Sequence, residues 1–210
     1  MKLSLLPIWC LCGLCTLPFS AQADLLQQFA QNSSAVERLF CTFAQEKRLD
    51  FLPRPLESKG HLAFERDHAH SGAPALLWEY VSPTPSGLWY AKGQGWLWAG
   101  SKSALHRASG EENRVLNAML RHILQWFTVT PQKLREQYAV TEDEKDICLI
   151  FIPRQKSFFA QMRVCLREDL LSLRSLCFME HNGDSTALTF AVPEINGAPF
   201  TSFPDGTPLP

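Results

Sequence analysis

Few residues of this chain combine the types and spacing that catalysis or metal binding requires. His68-Ala69-His70 places two imidazoles at the spacing of metal ligands on one strand, but its polar loop supplies no third ligand nearby. Ser185 directly follows Asp184 in a predicted turn, and the sequence contains no Gly-x-Ser-x-Gly nucleophile elbow. We therefore expect no enzyme activity, no metal site and no cofactor.

Two pairs of adjacent carboxylates also have the chemistry of general acids and bases. Glu111-Glu112 stands at a predicted helix start, and Asp143-Glu144 stands in a predicted turn. Charged side chains are usually solvated at such places, which accounts for both pairs without a catalytic role.

Four cysteines follow residue 23 and all lie in apolar, strand-like segments. In an oxidising compartment they could form up to two disulfides, with three complete pairings, and a buried free thiol would behave as a small hydrophobic group. If one disulfide forms, the favoured pair is Cys165–Cys177, because the strands that carry these residues are neighbours in sequence. The four are Cys41, Cys148, Cys165 and Cys177.

The first 23 residues have the organisation of a cleavable export signal. Lys2 supplies a positive charge, residues 3–19 are mostly apolar, and Ala21-Gln22-Ala23 is a small-x-small cleavage site. We expect residues 1–23 to be removed, leaving a single domain over residues 24–210 in the periplasm of a Gram-negative bacterium.

The charge balance argues against a nucleic-acid partner. The chain has 20 Lys and Arg against 21 Asp and Glu, a formal net charge of −1 that becomes −2 when Lys2 leaves with the signal. Nucleic-acid-binding domains usually carry a basic face.

Alternating apolar and polar residues dominate the rest of the chain, first from Phe40 to about Gly100 and again from about Tyr138. This period of two predicts antiparallel strands with one apolar face, and Asn182-Gly183-Asp184 and Gly93-Gln94-Gly95 predict tight hairpins. The predicted strands are 36–49, 58–65, 75–81, 87–91, 96–99, 138–141, 146–152, 158–166, 173–180 and 185–192.

Three helices are predicted around these strands. A short helix over residues 24–31 is capped by Asp24, and another begins at Thr130-Pro131 and ends near Glu136. Between them, Ser109-Gly110-Glu111-Glu112 fits a capping box that opens a helix with a wide apolar stripe. That stripe consists of Val115, Leu116, Met119, Leu120, Ile123 and Phe127.

About 10–11 strands joined by short turns would leave two unprotected edges unless the sheet curls nearly shut. We therefore predict a mainly β fold, a half-open curled antiparallel barrel, with the striped helix as a lid over its concave face. The aromatic and aliphatic side chains of the strands then either line a cavity for acyl chains or form an ordinary core under the helix, and a register slip of one residue would invert the faces. The candidate cavity residues are Phe43, Leu62, Phe64, Leu76, Trp78, Tyr80, Trp96 and Trp98.

Five motifs, in this order and spacing after an export signal, resemble the LolA-like periplasmic lipoprotein carriers over residues 25–203. They are Phe43-x-Gln45-x-Lys47-x-Leu49, Pro55-Leu56-x-Ser58-x-Gly60-x-Leu62-x-Phe64, Leu77-Trp78-x-Tyr80-x-x-Pro83, Leu149-x-Phe151-x-Pro153 and Glu180-x-x-Gly183-Asp184-x-Thr186.

The resemblance implies a half-open barrel of the LolA/LolB type with a helical lid. It also implies a monomeric carrier that takes acylated lipoproteins from an inner-membrane ABC-type release complex and delivers them to an outer-membrane receptor. The same fold serves carriers and sensors of other amphiphiles, such as glycolipids or a lipid signal of envelope stress, so this alternative stays open.

One position departs from the family pattern. Its carriers often have a basic residue followed by Pro shortly before the Leu-x-Trp strand, and that basic residue helps to latch the lid. This chain has Gly72-Ala73-Pro74 there. Arg66 could substitute from the preceding strand, although its position does not match the pattern. The resemblance therefore leaves open what would latch the lid.

Overall fold

A computed structural model describes residues 24–66, 74–113, 130–143 and 145–210. In this part of the chain, the main element is an antiparallel sheet of twelve strands. The strands are β1 (Arg38–Arg48), β2 (Leu56–Glu65), β3 (Ala75–Ser82), β4 (Ser86–Ala91), β5 (Gln94–Ala99), β6 (His106–Arg107), β7 (Tyr138–Asp143), β8 (Cys148–Pro153), β9 (Phe159–Leu166), β10 (Leu173–Glu180), β11 (Ser185–Phe190) and β12 (Glu194–Ile195).

The sheet consists of two meanders, β1 to β6 and β7 to β11, which are joined because β1 pairs with β11. Its order is β6-β5-β4-β3-β2-β1-β11-β10-β9-β8-β7, and β12 pairs with β1 off this path. The sheet curls so that its two halves face each other, while the path ends at β6 and β7 and leaves the barrel half open. The predicted fold class, a half-open antiparallel barrel with helices, is confirmed.

All ten predicted strands are present, with bounds that differ by a few residues. The two short strands β6 and β12 were not predicted, because two residues are too few to show a period. The hairpin between β4 and β5 turns at Lys92-Gly93 and not at Gly93-Gln94-Gly95. Both turn residues have positive φ, 52° and 74°, the combination that a two-residue hairpin of type I′ requires.

The helices are short and pack at one side of the sheet. Helix α1 spans Leu25–Ser33, and the carboxylate of Asp24 accepts a hydrogen bond from Gln27 N at 2.8 Å, which confirms its role as N-cap. Leu26 and Phe29 of this helix are fully buried. Helix α2 spans Pro131–Gln137.

Residues 110–113 are helical, as the capping-box pattern predicts, and the predicted lid residues 115–127 lie outside the described residues. No helix in the described ranges is long and apolar enough to cross a membrane.

The disulfide prediction is wrong about the partner. Cys165 is bonded to Cys148, whose Cα lies 4.0 Å away on the neighbouring strand β8. The register explains the difference, because Cys148 lies directly opposite Cys165, whereas Cys177 lies opposite Arg163. Cys41 and Cys177 are free.

Candidate functional site

A row of apolar side chains crosses four strands on the concave face of the sheet. Leu62 of β2 lies opposite Trp78 of β3, and Trp78 lies opposite Leu88 of β4. Leu88 in turn lies opposite Leu97 of β5. Since directly opposed residues point to the same face, these four side chains form one continuous strip.

The other half of the curled sheet supplies a second apolar wall. Leu176 of β10 lies opposite Leu188 of β11 on one side and Val164 of β9 on the other. Phe178 lies opposite Met162 in the same way.

A cavity of about 680 Å³ lies between the two walls. This volume falls within the range of about 300–1,000 Å³ that is typical of pockets for small ligands. Among the described residues its lining is predominantly apolar and comes from both halves of the sheet. The lining consists of Gln45, Leu62, Trp78, Tyr80, Ser86, Gly87, Leu88, Leu97, Trp98, Ala99, His106, Phe158, Phe159, Met162, Leu173, Leu176, Phe178, Thr186, Leu188 and Phe190.

Several polar side chains of the lining lie toward one end of the cavity. The Tyr80 hydroxyl donates a hydrogen bond to Gln45 Oε1 at 2.9 Å. Burial raises the pKa of Tyr80, so the phenol stays protonated and remains a donor at neutral pH. Ser86 and Thr186 stand at the same end, at the start of β4 and of β11. The cavity can therefore hold an apolar chain along its walls and a polar group near this end.

The eight predicted cavity residues do not all line this space. Leu62, Trp78 and Tyr80 do. Phe43 packs against this wall, with its ring centroid 4.8 Å from that of Trp78. Phe64 and Leu76 point to the same face as these residues but are fully buried in the core.

The structure differs most from the prediction at Trp96. This side chain lies on the convex face, where it packs in a second apolar cluster with Trp89 and Phe203. Trp98 belongs to the same cluster and also borders the cavity across Gly87. A Cβ at Gly87 would lie 2.4 Å from Trp98 Cζ2, so only glycine leaves room for the indole there.

The C-terminal segment 198–209 explains why the convex face of β5 is apolar. Phe203 is buried against Trp98 at a ring distance of 5.3 Å and against Trp89 at 6.2 Å. Lys102 lies 4.6 Å above the Phe203 ring and contacts the carboxylates of Glu79 and Asp205 at 2.9 and 2.8 Å. We call residues 198–209 the C-terminal strap.

The second wall of the cavity was not among the residues predicted from the sequence. Its residues are Met162, Leu176, Phe178, Leu188 and Phe190. The polar lining residue Gln45 was not predicted either. The signal was present, because Leu176 and Phe178, and likewise Leu188 and Phe190, are alternate residues of predicted strands.

Other predicted features lie outside the described residues. They are His68 and His70, Gly72 and Ala73 of the latch position, and the lid residues Val115, Leu116, Met119, Leu120, Ile123 and Phe127. Within the described ranges, no group of three or more His, Cys, Asp or Glu residues could hold a metal ion.

Comparison with known proteins shows likeness in structure only. No protein-family model and no curated protein matches the sequence. Among solved structures, MucB matches with a TM-score of 0.53 at 13% identity over 84% of this chain and 59% of MucB. The MucA/MucB complex of Pseudomonas aeruginosa gives 0.50 at 11% identity, over 84% of this chain and 58% of that chain.

A LolA superfamily protein from Nitrosomonas europaea also matches, with a TM-score of 0.38 at 8% identity over 83% of this chain and 93% of that chain. The chain therefore shares its fold with MucB. It spans about three fifths of the length of MucB. At these identities the comparisons describe the fold, and the cavity must supply the argument for function.

Proposed function

We propose that the protein is a non-enzymatic carrier that binds the acyl chains of lipoproteins in the cavity between the two walls of the sheet. The observation that carries the proposal is the cavity itself. Its walls are rows of Leu, Phe and Trp side chains, and its polar groups gather near one end. An amphiphile with long apolar chains and a polar head matches this distribution.

The magnitudes suit a carrier that must open. Burial of an acyl chain of about 16 carbons is worth roughly 12 kcal/mol at about 0.8 kcal/mol per methylene. A carrier that held its cargo so tightly would release it slowly, unless opening or closing of a cover offset part of that free energy. We propose the helix with Val115, Met119 and Ile123 as this cover.

We further propose the route that the motif resemblance implies. The protein would work in the periplasm after removal of residues 1–23, as a monomer. It would receive acylated lipoproteins from an inner-membrane ABC-type complex and pass them to an outer-membrane receptor.

The alternative is a carrier or sensor of another amphiphile, such as a glycolipid. The same cavity would accept it, because an apolar wall discriminates weakly between acyl chains of different molecules. MucB, which matches in fold, is itself seen in complex with another protein, MucA, so a protein partner is compatible with this fold.

Mass spectrometry of the protein isolated from the periplasm distinguishes these candidates. Recovery of acylated lipoprotein with the protein supports the lipoprotein carrier. Recovery of free glycolipid alone favours the alternative, and an empty protein that also fails to bind a synthetic triacylated lipopeptide contradicts the lipoprotein carrier.

Two glutamate variants test the location of the site. Leu97→Glu places a carboxylate in the apolar strip, whereas Val192→Glu places one on an exposed residue outside the cavity. Because a buried charge without a partner is costly, we expect Leu97→Glu to weaken binding of the triacylated lipopeptide by at least about tenfold. Val192→Glu should leave binding unchanged, and equal binding by both variants would contradict the proposed site.

A measurement on the unaltered cavity covers the case in which Leu97→Glu does not fold. A fatty acid brominated along its chain quenches tryptophan fluorescence only at close range. We expect quenching that Trp78→Phe reduces and that Trp78→Phe together with Trp98→Phe reduces further, since both indoles border the cavity. Quenching that the double variant leaves undiminished would place the bound chain elsewhere.

A further inference from the structure

Exposed large hydrophobic side chains are concentrated at one end of the sheet. Seven such side chains occur in the described part of the chain. Val192 lies beyond the end of β11, at the opposite end. The other six, which we call the apolar rim, are Phe51, Leu56, Val81, Ile152, Phe158 and Met179.

The pairing of the strands places the rim residues together. Phe51 lies in the turn between β1 and β2, at the end where Arg48 pairs with Ser185, the first residue of β11. At this same end β2 begins, β3 ends, β8 ends, β9 begins and β10 ends, because adjacent strands are antiparallel. Single exposed hydrophobic residues are ordinary, but such a concentration usually marks an interaction surface.

The turn that carries Phe51 is held in place by hydrogen bonds. Leu52 N donates to Leu49 O at 2.9 Å, and Asp50 N donates to Asp184 Oδ1 at 2.8 Å. Asp184 is buried and its other oxygen accepts from Asn182 Nδ2 at 2.8 Å. Phe51 nevertheless stays 77% exposed, so the fold presents this ring to the outside on a fixed support.

Basic side chains accompany the rim. In the strand connections at this end, Arg54, Arg154 and Lys156 are exposed, and Asp50 is the exposed acidic residue of the same connections. Glu57, at the start of β2, is also exposed, so the exposed cations outnumber these carboxylates by three to two. Cations beside a negatively charged bilayer contribute about 1 kcal/mol each, and aromatic and aliphatic side chains can enter the interface. Apolar side chains spread over four strand ends and two connections, with exposed cations in those connections, suit a lipid surface better than a shaped protein groove.

The cavity reaches the same end of the molecule. Phe158 belongs to the rim, 60% exposed, and also lines the cavity. The polar lining residues Gln45, Ser86 and Thr186 lie toward this end as well. We propose that the apolar rim docks on a negatively charged lipid bilayer and brings this end of the cavity to the membrane surface. The docking surface does not depend on which amphiphile the cavity carries.

Flotation of the purified protein with lipid vesicles tests the proposal. We expect binding to vesicles of phosphatidylglycerol and phosphatidylethanolamine, weaker binding to phosphatidylcholine vesicles, and loss of binding as salt rises. Phe51→Ser should lower the partition coefficient by about tenfold, because the ring loses its apolar environment in the interface. Arg54→Gln should lower it by about fivefold on anionic vesicles alone.

Val192→Ser is the matched control, because Val192 is 78% exposed at the opposite end. It should bind vesicles like the unaltered protein. The proposal is wrong if the unaltered protein does not float with anionic vesicles, or if Phe51→Ser floats equally well. A rim that binds only a protein partner would give the first of these results.

Binding of the triacylated lipopeptide separates this proposal from the carrier function. Phe51 does not line the cavity, so Phe51→Ser should bind the lipopeptide normally while it loses vesicle binding. Loss of lipopeptide binding in Leu97→Glu with normal flotation would show that the two sites act separately.

Discussion

The ammonium group of Lys102 lies 2.9 Å from the carboxylate of Glu79, which is only 3% exposed on the convex side of the sheet. Glu79 is also bound by His61, whose Nδ1 lies 2.6 Å from its other oxygen. The C-terminal strap thus covers a buried carboxylate that has two basic partners. One of these partners, Lys102, also forms an ion pair with Asp205 of the strap. The strap is held by charge as well as by the ring of Phe203.

Removal of the Lys102 charge should destabilise the protein strongly. Lys102→Met keeps most of the apolar stem but leaves Glu79 with His61 as its remaining described partner. Loss of one member of a buried ion pair typically costs about 3 kcal/mol or more, so we expect a loss near 3 kcal/mol in urea unfolding. Lys133→Met, on the exposed face of α2, is the control and should change stability by less than about 0.5 kcal/mol.

Asp205 should make a smaller contribution that depends on pH. Its hydrogen bond with Lys102 lowers the pKa of Asp205 from the usual 3.8 to about 2. A lowered pKa in the folded state stabilises the fold above about pH 4, and this contribution disappears as pH falls toward 2. Solvent screens the pair, because the Asp205 side chain is 55% exposed.

Asp205→Asn should therefore lower the urea midpoint slightly near neutral pH, by less than Lys102→Met does. The difference between variant and unaltered protein should shrink between pH 4 and pH 2. A difference that stays constant over this range would show that the Asp205 charge does not stabilise the strap.

The strands were predictable because alternation is a local property. Leu62, Trp78 and Tyr80 of the cavity lining were among the predicted residues, whereas Leu88 and Leu97 of the same strip were not. The pattern fails in β5, where Trp96, Leu97 and Trp98 are all apolar. There the period cannot tell which face is concave, and the second apolar face exists because Phe203, distant in sequence, covers it.

The disulfide illustrates a different limit of the sequence. Cys165 and Cys177 lie on consecutive strands, which makes them plausible partners, but pairing needs residues that are directly opposed. In the register of β10 with β9, Ser175 lies opposite Cys165, and in the register of β8 with β9, Cys148 does. Register depends on turns and bulges, such as the irregularity between Leu173 and Ser175, which the pattern of apolar residues does not reveal.

The two free thiols should differ in reactivity. Burial raises the pKa of the Cys41 thiol to about 12, and it also raises the pKa of Cys177, which is partly exposed. Because the thiolate is the reactive form, iodoacetamide should label the native protein slowly, at Cys177 first and at Cys41 only after unfolding. Peptide mass spectrometry measures both sites, and Cys177→Ser should leave the native protein almost unlabelled. Labelling of Cys41 before Cys177 would contradict the burial of Cys41.

Gly60 should be among the least replaceable residues of β2. A Cβ at this position would lie 1.9 Å from the carbonyl oxygen of Glu79 and 2.6 Å from Phe43 Cζ. The nearer atom belongs to the backbone of β3, so β2 and β3 would have to separate. We expect Gly60→Ala to lower the free energy of unfolding by about 3 kcal/mol, the upper end of ordinary overpacking costs.

A second substitution identifies which contact limits Gly60. If the Phe43 ring were the obstacle, Gly60→Ala would cost much less in a Phe43→Ala background than in the unaltered protein. Because the closest atom is the Glu79 carbonyl oxygen, we expect Gly60→Ala to cost about as much in that background. Ser58→Ala in the same strand is the control and should cost less than about 1 kcal/mol. If the Gly60→Ala protein were as stable as this control, β2 and β3 would have to lie further apart than the 1.9 Å distance between an added Cβ and the Glu79 carbonyl oxygen indicates.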